Sequence, residues 1–329
     1  MTLGSRYDTA LLDLDGVIYV GGTGIPGAAE ALRKARDTGL RLAYVTNNAS
    51  RTPAAVAGLL TGLGVPAEPG DVVTSAQAAA RLLAERLPAR APVLVIGGMG
   101  LRLALREQGL RPVSTAADKP LAVVQGYVPG LSYGLLAEGG IAVAAGALFV
   151  ATNADLTLPR KDGQGPGNGS LIQVIATATG VTPLVAGKPE PPLHRETVIR
   201  TGAKHPLVIG DRLDTDILGA HRVGADSLLV LTGVTSPAGA ILAPAGQRPT
   251  YIAEDLTGLL EPYPDVARGP GAAAVGGWTA RLDGGHLALD GSGKRIDALR
   301  ALCAAAWQGD APADPEVARK LVQQAGYPL

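Results

Sequence analysis

The sequence predicts an α/β protein with three parts: a core on a parallel sheet, an inserted α/β cap domain and a small C-terminal extension. The first observation is alternation. Apolar runs at 10–14, 40–45, 72–73 and 93–96 are separated by stretches of helical spacing at 28–38, 53–63 and 76–86, the pattern of parallel strands covered by helices. The second is an interruption, since the segment 89–183 has apolar runs of its own at 93–96, 121–125, 141–144 and 148–151 and carries none of the reactive motifs that flank it. The third is a change of character after position 264, where ARGPGAAAVGG reads as a linker before a hairpin over 278–289 turning at Gly284-Gly285 and helices over 296–307 and 315–325. The expected domains are 1–88 and 184–264 for the two parts of the core, 89–183 for the cap and 265–329 for the extension. About sixty residues make a poor core alone, so the extension is expected to dock on the core or on a second subunit.

Composition narrows the class. The 329 residues are 47% hydrophobic, and 29 Lys+Arg balance 29 Asp+Glu, so no net field favours nucleic acid or an anionic membrane. The apolar stretch 141–151 is too short to span a bilayer and reads as a buried strand with its turn. Asp8, Asp13 and Asp15 interrupt the N-terminal apolar residues where a signal peptide needs a clean hydrophobic run. The single cysteine, Cys303, sits among apolar residues as a buried helix position. A cytoplasmic location is the expectation.

Four strings carry the chemistry: LLDLDG at 11–16, TNN at 46–48, GKP at 187–189 and IGDRLDTDI at 209–217. Three of them close apolar runs, at Asp13 and Asp15, at Thr46 and at Asp211, and ligands of parallel sheets sit at the carboxyl ends of strands. Carboxylates, a hydroxyl and a lysine in that setting are equipment for moving a phosphoryl group. A phosphomonoester dianion near a carboxylate meets repulsion of ~4 kcal/mol per charge pair at 4 Å in a partly desolvated site. Lys188 supplies one positive charge, and Mg²⁺ held by hard oxygen ligands supplies two more.

These strings resemble the haloacid dehalogenase superfamily, in its large-cap branch of nitrophenylphosphatase-like, pyridoxal phosphatase and phosphoglycolate phosphatase enzymes. The resemblance covers about 7–260 and includes ATNADLTLPR at 151–160 with PGNGS at 166–170, which looks like the branch's cap substrate loop. It implies a Rossmann-like core and hydrolysis of a small phosphomonoester through an aspartyl-phosphate. Asp13 would be the nucleophile and Asp15 the general acid and base. Thr46 would bind the phosphoryl group by its hydroxyl, Asn47 by its backbone N–H, and Lys188 by its charge. Mg²⁺ would be held by Asp13, the Asp15 carbonyl and Asp211, with Asp216 orienting this shell. Asn48, Asn153 and Arg160 are candidates for the leaving group. The branch also leaves open a homodimer through the cap.

Each string has a plainer reading. An Asp-x-Asp-Gly after a strand is often only a turn, and Gly97-Gly98-Met99-Gly100 mimics a dinucleotide turn without its third glycine. Pro189 follows Lys188 where a nucleotide P-loop needs Ser or Thr. His194, His205, His221 and His286 lack metal-ligand spacing and read as surface or helix-end residues, and Arg212 as an ion-pair partner. The four strings in order outweigh these readings. A closed cap favours small substrates. The polar loop Asn153, Asp155, Arg160 and Asn168, without an aromatic, favours glycerol 3-phosphate over 2-phosphoglycolate, pyridoxal phosphate or a nucleoside monophosphate. Phosphoryl transfer to a second alcohol and non-catalytic metabolite sensing are the rival readings.

Overall fold

The computed structural model describes residues 1–160, 163–309 and 313–328. Two compact units share the chain: Met1–Val20, Gly24–Arg41 and His205–Leu329 form one, and Gly21–Thr23 with Leu42–Lys204 form the other.

In the first unit, the strands Tyr251–Ala253, Asp226–Val230, Pro206–Gly210 and Thr9–Leu12 lie side by side in that order, all parallel. Thr9–Leu12 and four of the five residues of Pro206–Gly210 are buried, as expected of parallel strands covered on both faces. Register pairs Leu12 with Ile209, which brings the ends of the two strands level, and Asp13 and Asp211 follow those ends.

The extension belongs to this unit. The predicted linker is instead two strands, Ala267–Gly269 and Ala272–Val275, which join the predicted hairpin strands Trp278–Asp283 and His286–Gly291 in a four-stranded antiparallel sheet. Small residues hid them, because Ala and Gly give no β-branched signature and take their strand geometry from their neighbours. The helices Arg295–Ala306 and Pro315–Gln324 complete it, with Cys303 buried as expected. Trp278, Leu299, Leu302 and Val322 share a core with Ile217, Leu229, Ile241 and Ile252. The extension therefore docks on the core of its own chain, with a shared interior that it is too small to build alone.

In the second unit, the parallel pair Arg41–Thr46 and Val72–Thr74 is accompanied by the helices Pro53–Gly62 and Ser75–Ala84. Thr52 caps the first helix by accepting from Ala55 N–H, and Thr74 and Gln77 form a capping box on the second. The segment expected to be the cap contributes to a five-stranded parallel sheet in the order Leu184–Val185, Leu148–Ala151, Ala122–Gln125, Pro92–Ile96, Arg111–Val113, which takes in Leu184–Val185 from beyond the expected boundary at 183.

One expectation for this segment is corrected. Residues 141–144 are the last turn of the helix Tyr133–Ala144, which Ser132 caps, since an apolar run alone does not separate a strand from a packed helix. The helix Asn168–Thr179 packs in the same unit, and Ser170 in its first turn donates its hydroxyl to the Leu156 carbonyl at 2.7 Å. Gly97–Gly100 opens the helix Met99–Glu107. A methyl group on Gly100 would press into the Arg51 and Ala49 carbonyls, and one on Gly98 into the Ser50 carbonyl. These glycines serve close packing.

Candidate active site

The first unit gathers three carboxylates. One oxygen each from Asp13, Asp211 and Asp216 lies within 4.8 Å of the others. Asp13 is half-buried, while Asp211 and Asp216 are each 1% exposed. Asp13 is placed by its N–H donating to the Ile209 carbonyl at 2.9 Å. Asp211 accepts from Val234 N–H at 2.7 Å, and Asp216 accepts from Arg212 N–H at 3.2 Å. The segment Leu213–Ile217 is a π-turn that buries Asp216 and leaves Asp214 exposed, where it pairs with Arg212 at 2.8 Å. The ion-pair reading of Arg212 thus has its partner.

Glycine makes room for the cluster. A methyl group on Gly16 or Gly233 would collide with the Asp211 carboxylate, and one on Gly210 with Asp216. Gly16 also has φ +79°, and its carbonyl accepts from the Thr232 hydroxyl at 2.5 Å. The loop Thr232–Val234 was not picked out in the sequence, where LTGVTS looks like any turn after a strand.

Three carboxylates this close repel by about 4 kcal/mol per pair at 4 Å and an effective dielectric of 20. An all-oxygen anionic donor set is matched to a hard divalent cation such as Mg²⁺ or Ca²⁺. Asp13, Asp211 and Asp216 fit that cation. Asp15 has an exposed side chain just past the strand and lies outside the cluster, as the i and i+2 placement with a turn at Gly16 allows.

The second unit gathers the remaining motifs around one amide. Asn47 Oδ1 accepts from Lys188 N–H at 2.8 Å, and its Nδ2 donates to the Lys188 carbonyl at 3.1 Å. The same Nδ2 reaches the Asp155 carboxylate at 3.2 and 3.3 Å. The Asn47 carbonyl accepts from Asn153 Nδ2 at 2.8 Å and from the Ser75 hydroxyl at 2.6 Å. Asn47 therefore ties the end of its strand to the GKP segment and the cap loop. The sequence reading gave it only a backbone contact.

Other residues of this unit follow. Thr46 is 6% exposed, and its oxygen accepts from Asn48 N–H at 3.1 Å, which orients its own O–H elsewhere. Lys188 is 4% exposed, with Nζ at 3.4 Å from the Val45 carbonyl. Asn48 is turned to its own loop, accepting from Ser50 N–H and hydroxyl at 2.9 and 2.8 Å. Both ends of the Asn153 amide bond to main chain, at Asn47 and Asp155. Asn168 Nδ2 donates to the Asn153 carbonyl at 2.8 Å. The Arg160 side chain lies outside the described residues, as do Lys161 and Asp162. His194, expected at a surface or helix end, is 1% exposed inside the helix Pro191–Thr201. Burial, with the Lys188 charge second, pushes its imidazole down to about 3.

Models of the haloacid dehalogenase-like hydrolases match residues 10–111 and, as a related HAD hydrolase-like model, 185–259. A relative from Mycobacterium tuberculosis, described as D-glycerol 3-phosphate phosphatase, is 42% identical over 319 residues, covering 94% of this chain and 88% of its own. The chain belongs to the haloacid dehalogenase-like hydrolase family. Within it, a glycerol phosphate phosphatase from M. tuberculosis solved in complex with magnesium superposes with a TM-score of 0.90 at 42% identity, covering 99% of both chains. A Bacillus subtilis protein described as a 5′-nucleotidase is 38% identical over 253 residues, covering 76% of this chain and 96% of its own. The extension carries a separate likeness, to a GCN5-related N-acetyltransferase like domain over residues 275–326.

Proposed function

We propose that this haloacid dehalogenase-like hydrolase cleaves small phosphomonoesters with Mg²⁺, and that glycerol 3-phosphate is its preferred substrate. The observation that carries the reading is likeness over the whole chain, extension included, to the M. tuberculosis glycerol 3-phosphate phosphatase. The carboxylate cluster supplies the chemistry.

In this reading Asp13 attacks phosphorus and becomes the aspartyl-phosphate, while Asp15 protonates the departing alkoxide and then takes a proton from the water that hydrolyses the acyl phosphate. Asp13, Asp211 and the Asp15 carbonyl would hold the Mg²⁺, with Asp216 beside them as a further carboxylate. When bound, the ion neutralises carboxylate and phosphoryl charge. To the same reaction we assign, on the motifs they occupy, the Thr46 hydroxyl and the Lys188 ammonium as phosphoryl-binding groups. Asn47 fixes the main chain of Lys188, so its role is positioning. Residues 89–183 act as the cap that limits the leaving group to small alcohols, with Asn48, Asn153 and Arg160 on the leaving-group side as candidates and a cytoplasmic setting assumed.

The test is phosphate release from glycerol 3-phosphate, 2-phosphoglycolate, pyridoxal 5′-phosphate and AMP, with Mg²⁺, with EDTA, and with folded Asp13→Asn. Expected is metal-dependent turnover, highest in kcat/KM for glycerol 3-phosphate and lowered at least ~10³-fold by the substitution. No turnover of any ester by the folded wild type would overturn the reading. Added acceptor alcohols that divert phosphate from water would move the assignment to a phosphotransferase.

A further inference from the structure

Away from the carboxylates, the first unit holds a cleft of about 210 Å³, lined by residues 249–252 at the edge strand, by 263–266 and 268, and by Arg300, Cys303, Ala304 and Trp307 of the extension. Its aromatic lining is Tyr251, Tyr263 and Trp307. These rings are fixed from behind. Tyr263 accepts from Ile252 N–H at 3.1 Å and meets Tyr251 edge to face at 4.7 Å between centroids. Trp307 Nε1 donates to the Ile241 carbonyl at 3.2 Å. The cleft is therefore preformed, which lowers the entropic cost of filling it.

Its charges divide into a used one and two unused ones. Arg300 lies 4.4 Å over the Tyr263 ring, donates twice to the Ile252 carbonyl at 2.8 and 3.0 Å, and bonds Asp297 at 2.8 Å. Arg6 and Arg268 are exposed lining residues, and neither guanidinium has a hydrogen-bonding or ion-pair partner among the described residues. One carboxylate, Asp265, stands against them in the lining. The excess is positive, beside aromatic faces. A cleft of this size suits a small ligand, on the scale of one ring and one acidic group.

We propose that this cleft is a second binding site, specific for a small planar organic anion: one aromatic ring bearing a single carboxylate or phosphate-like group. The ring fills the space beside Trp307 and the tyrosines, and the anion pairs with Arg6 and Arg268, whose planar guanidinium groups suit both acid types. The phosphatase reading does not enter this argument, since no residue of the cleft is among those assigned to the reaction.

Calorimetric titration of the EDTA-treated full chain tests it with benzoate, phenylphosphonate, benzyl alcohol and inorganic phosphate. Expected is saturable binding of at least one of the two aromatic anions with a dissociation constant on the order of 1 mM. Benzyl alcohol and phosphate should bind at least about tenfold more weakly, since each lacks one half of the recognition. The doubly substituted Arg6→Gln/Arg268→Gln protein should lose about tenfold in affinity while its phosphatase turnover is retained, which also certifies its fold. Benzoate binding would identify a carboxylate ligand, and phenylphosphonate binding alone a phosphate-type one. Absence of both up to about 10 mM, equal binding of benzyl alcohol, or affinity unchanged in the double variant would overturn the proposal.

Discussion

The carboxylate cluster of the first unit and the amide knot of the second solve opposite problems. Asp13, Asp211 and Asp216 bring like charges together, with glycines making room around them and main-chain donors at Asp211 and Asp216. Asn47, Asn153, Asn168, Asp155 and the Lys188 main chain instead match donors to acceptors across three segments. The first arrangement is costly until a cation arrives and so is selective for one. The second ties three segments together by hydrogen bonds, with Asn168 Oδ1 its buried acceptor left unpaired, and so serves rigidity. The lesson is that electrostatic strain marks where a ligand belongs, whereas satisfied polarity marks what holds the site still.

The largest expected effect falls on the strained side. Asp211→Asn should remove most turnover, at least about 10²-fold. It should also abolish the rise in melting temperature on adding Mg²⁺, without lowering the melting temperature of the metal-free protein, because one repulsive charge is gone. Thermal melts with and without Mg²⁺ check this, and an undiminished Mg²⁺ shift would break the contrast.

On the satisfied side, Asn47→Ala removes both side-chain bonds to Lys188 and those to Asp155. The expected result is a loss of about 1–3 kcal/mol of stability from the unpaired groups and a drop of roughly tenfold or more in kcat/KM, with the Mg²⁺ shift intact. Denaturant unfolding and steady-state kinetics read the two parts. If the Mg²⁺ shift disappeared instead, the two regions would not be separable in function.

A smaller effect concerns His194, whose imidazole burial pushes down to about 3 from an ordinary 6.5. Its folded pKa is depressed, so the unfolded chain binds the proton more readily. The stability that neutral His194 permits is complete above pH ~6.5 and falls as pH drops from there toward 3, by up to roughly 1.4 kcal/mol per pH unit. His194→Leu should therefore move the acid-unfolding midpoint to lower pH while leaving stability at pH 8 within about 1 kcal/mol. Acid titration followed by circular dichroism is the check, with an unmoved midpoint as the contrary result.

Much of the site was legible because its chemistry is local in the chain. Asp13 and Asp15 share one string, Asp211 and Asp216 another, and each follows an apolar run whose strand length is set by period and burial. The part played by the Asn47 side chain was not legible, since its partners at 155 and 188 are more than a hundred residues away. Likewise Thr232–Val234 gained meaning only where Val234 N–H met Asp211. The strands at 267–269 and 272–275 were missed for a related reason, as residues without β preference adopt strands only when neighbours pair with them.

The sequence by itself determined the family of chemistry and the strand ends that present it, because periodicity and short motifs are properties of adjacent residues. Only the tertiary structure decided that Asp216 stands in the carboxylate cluster while the Asp15 side chain does not, that the Asn47 side chain bonds the Lys188 main chain, and that the extension shares a core with its own chain. Those outcomes depend on distances between segments far apart in sequence, which close packing sets and no local pattern encodes.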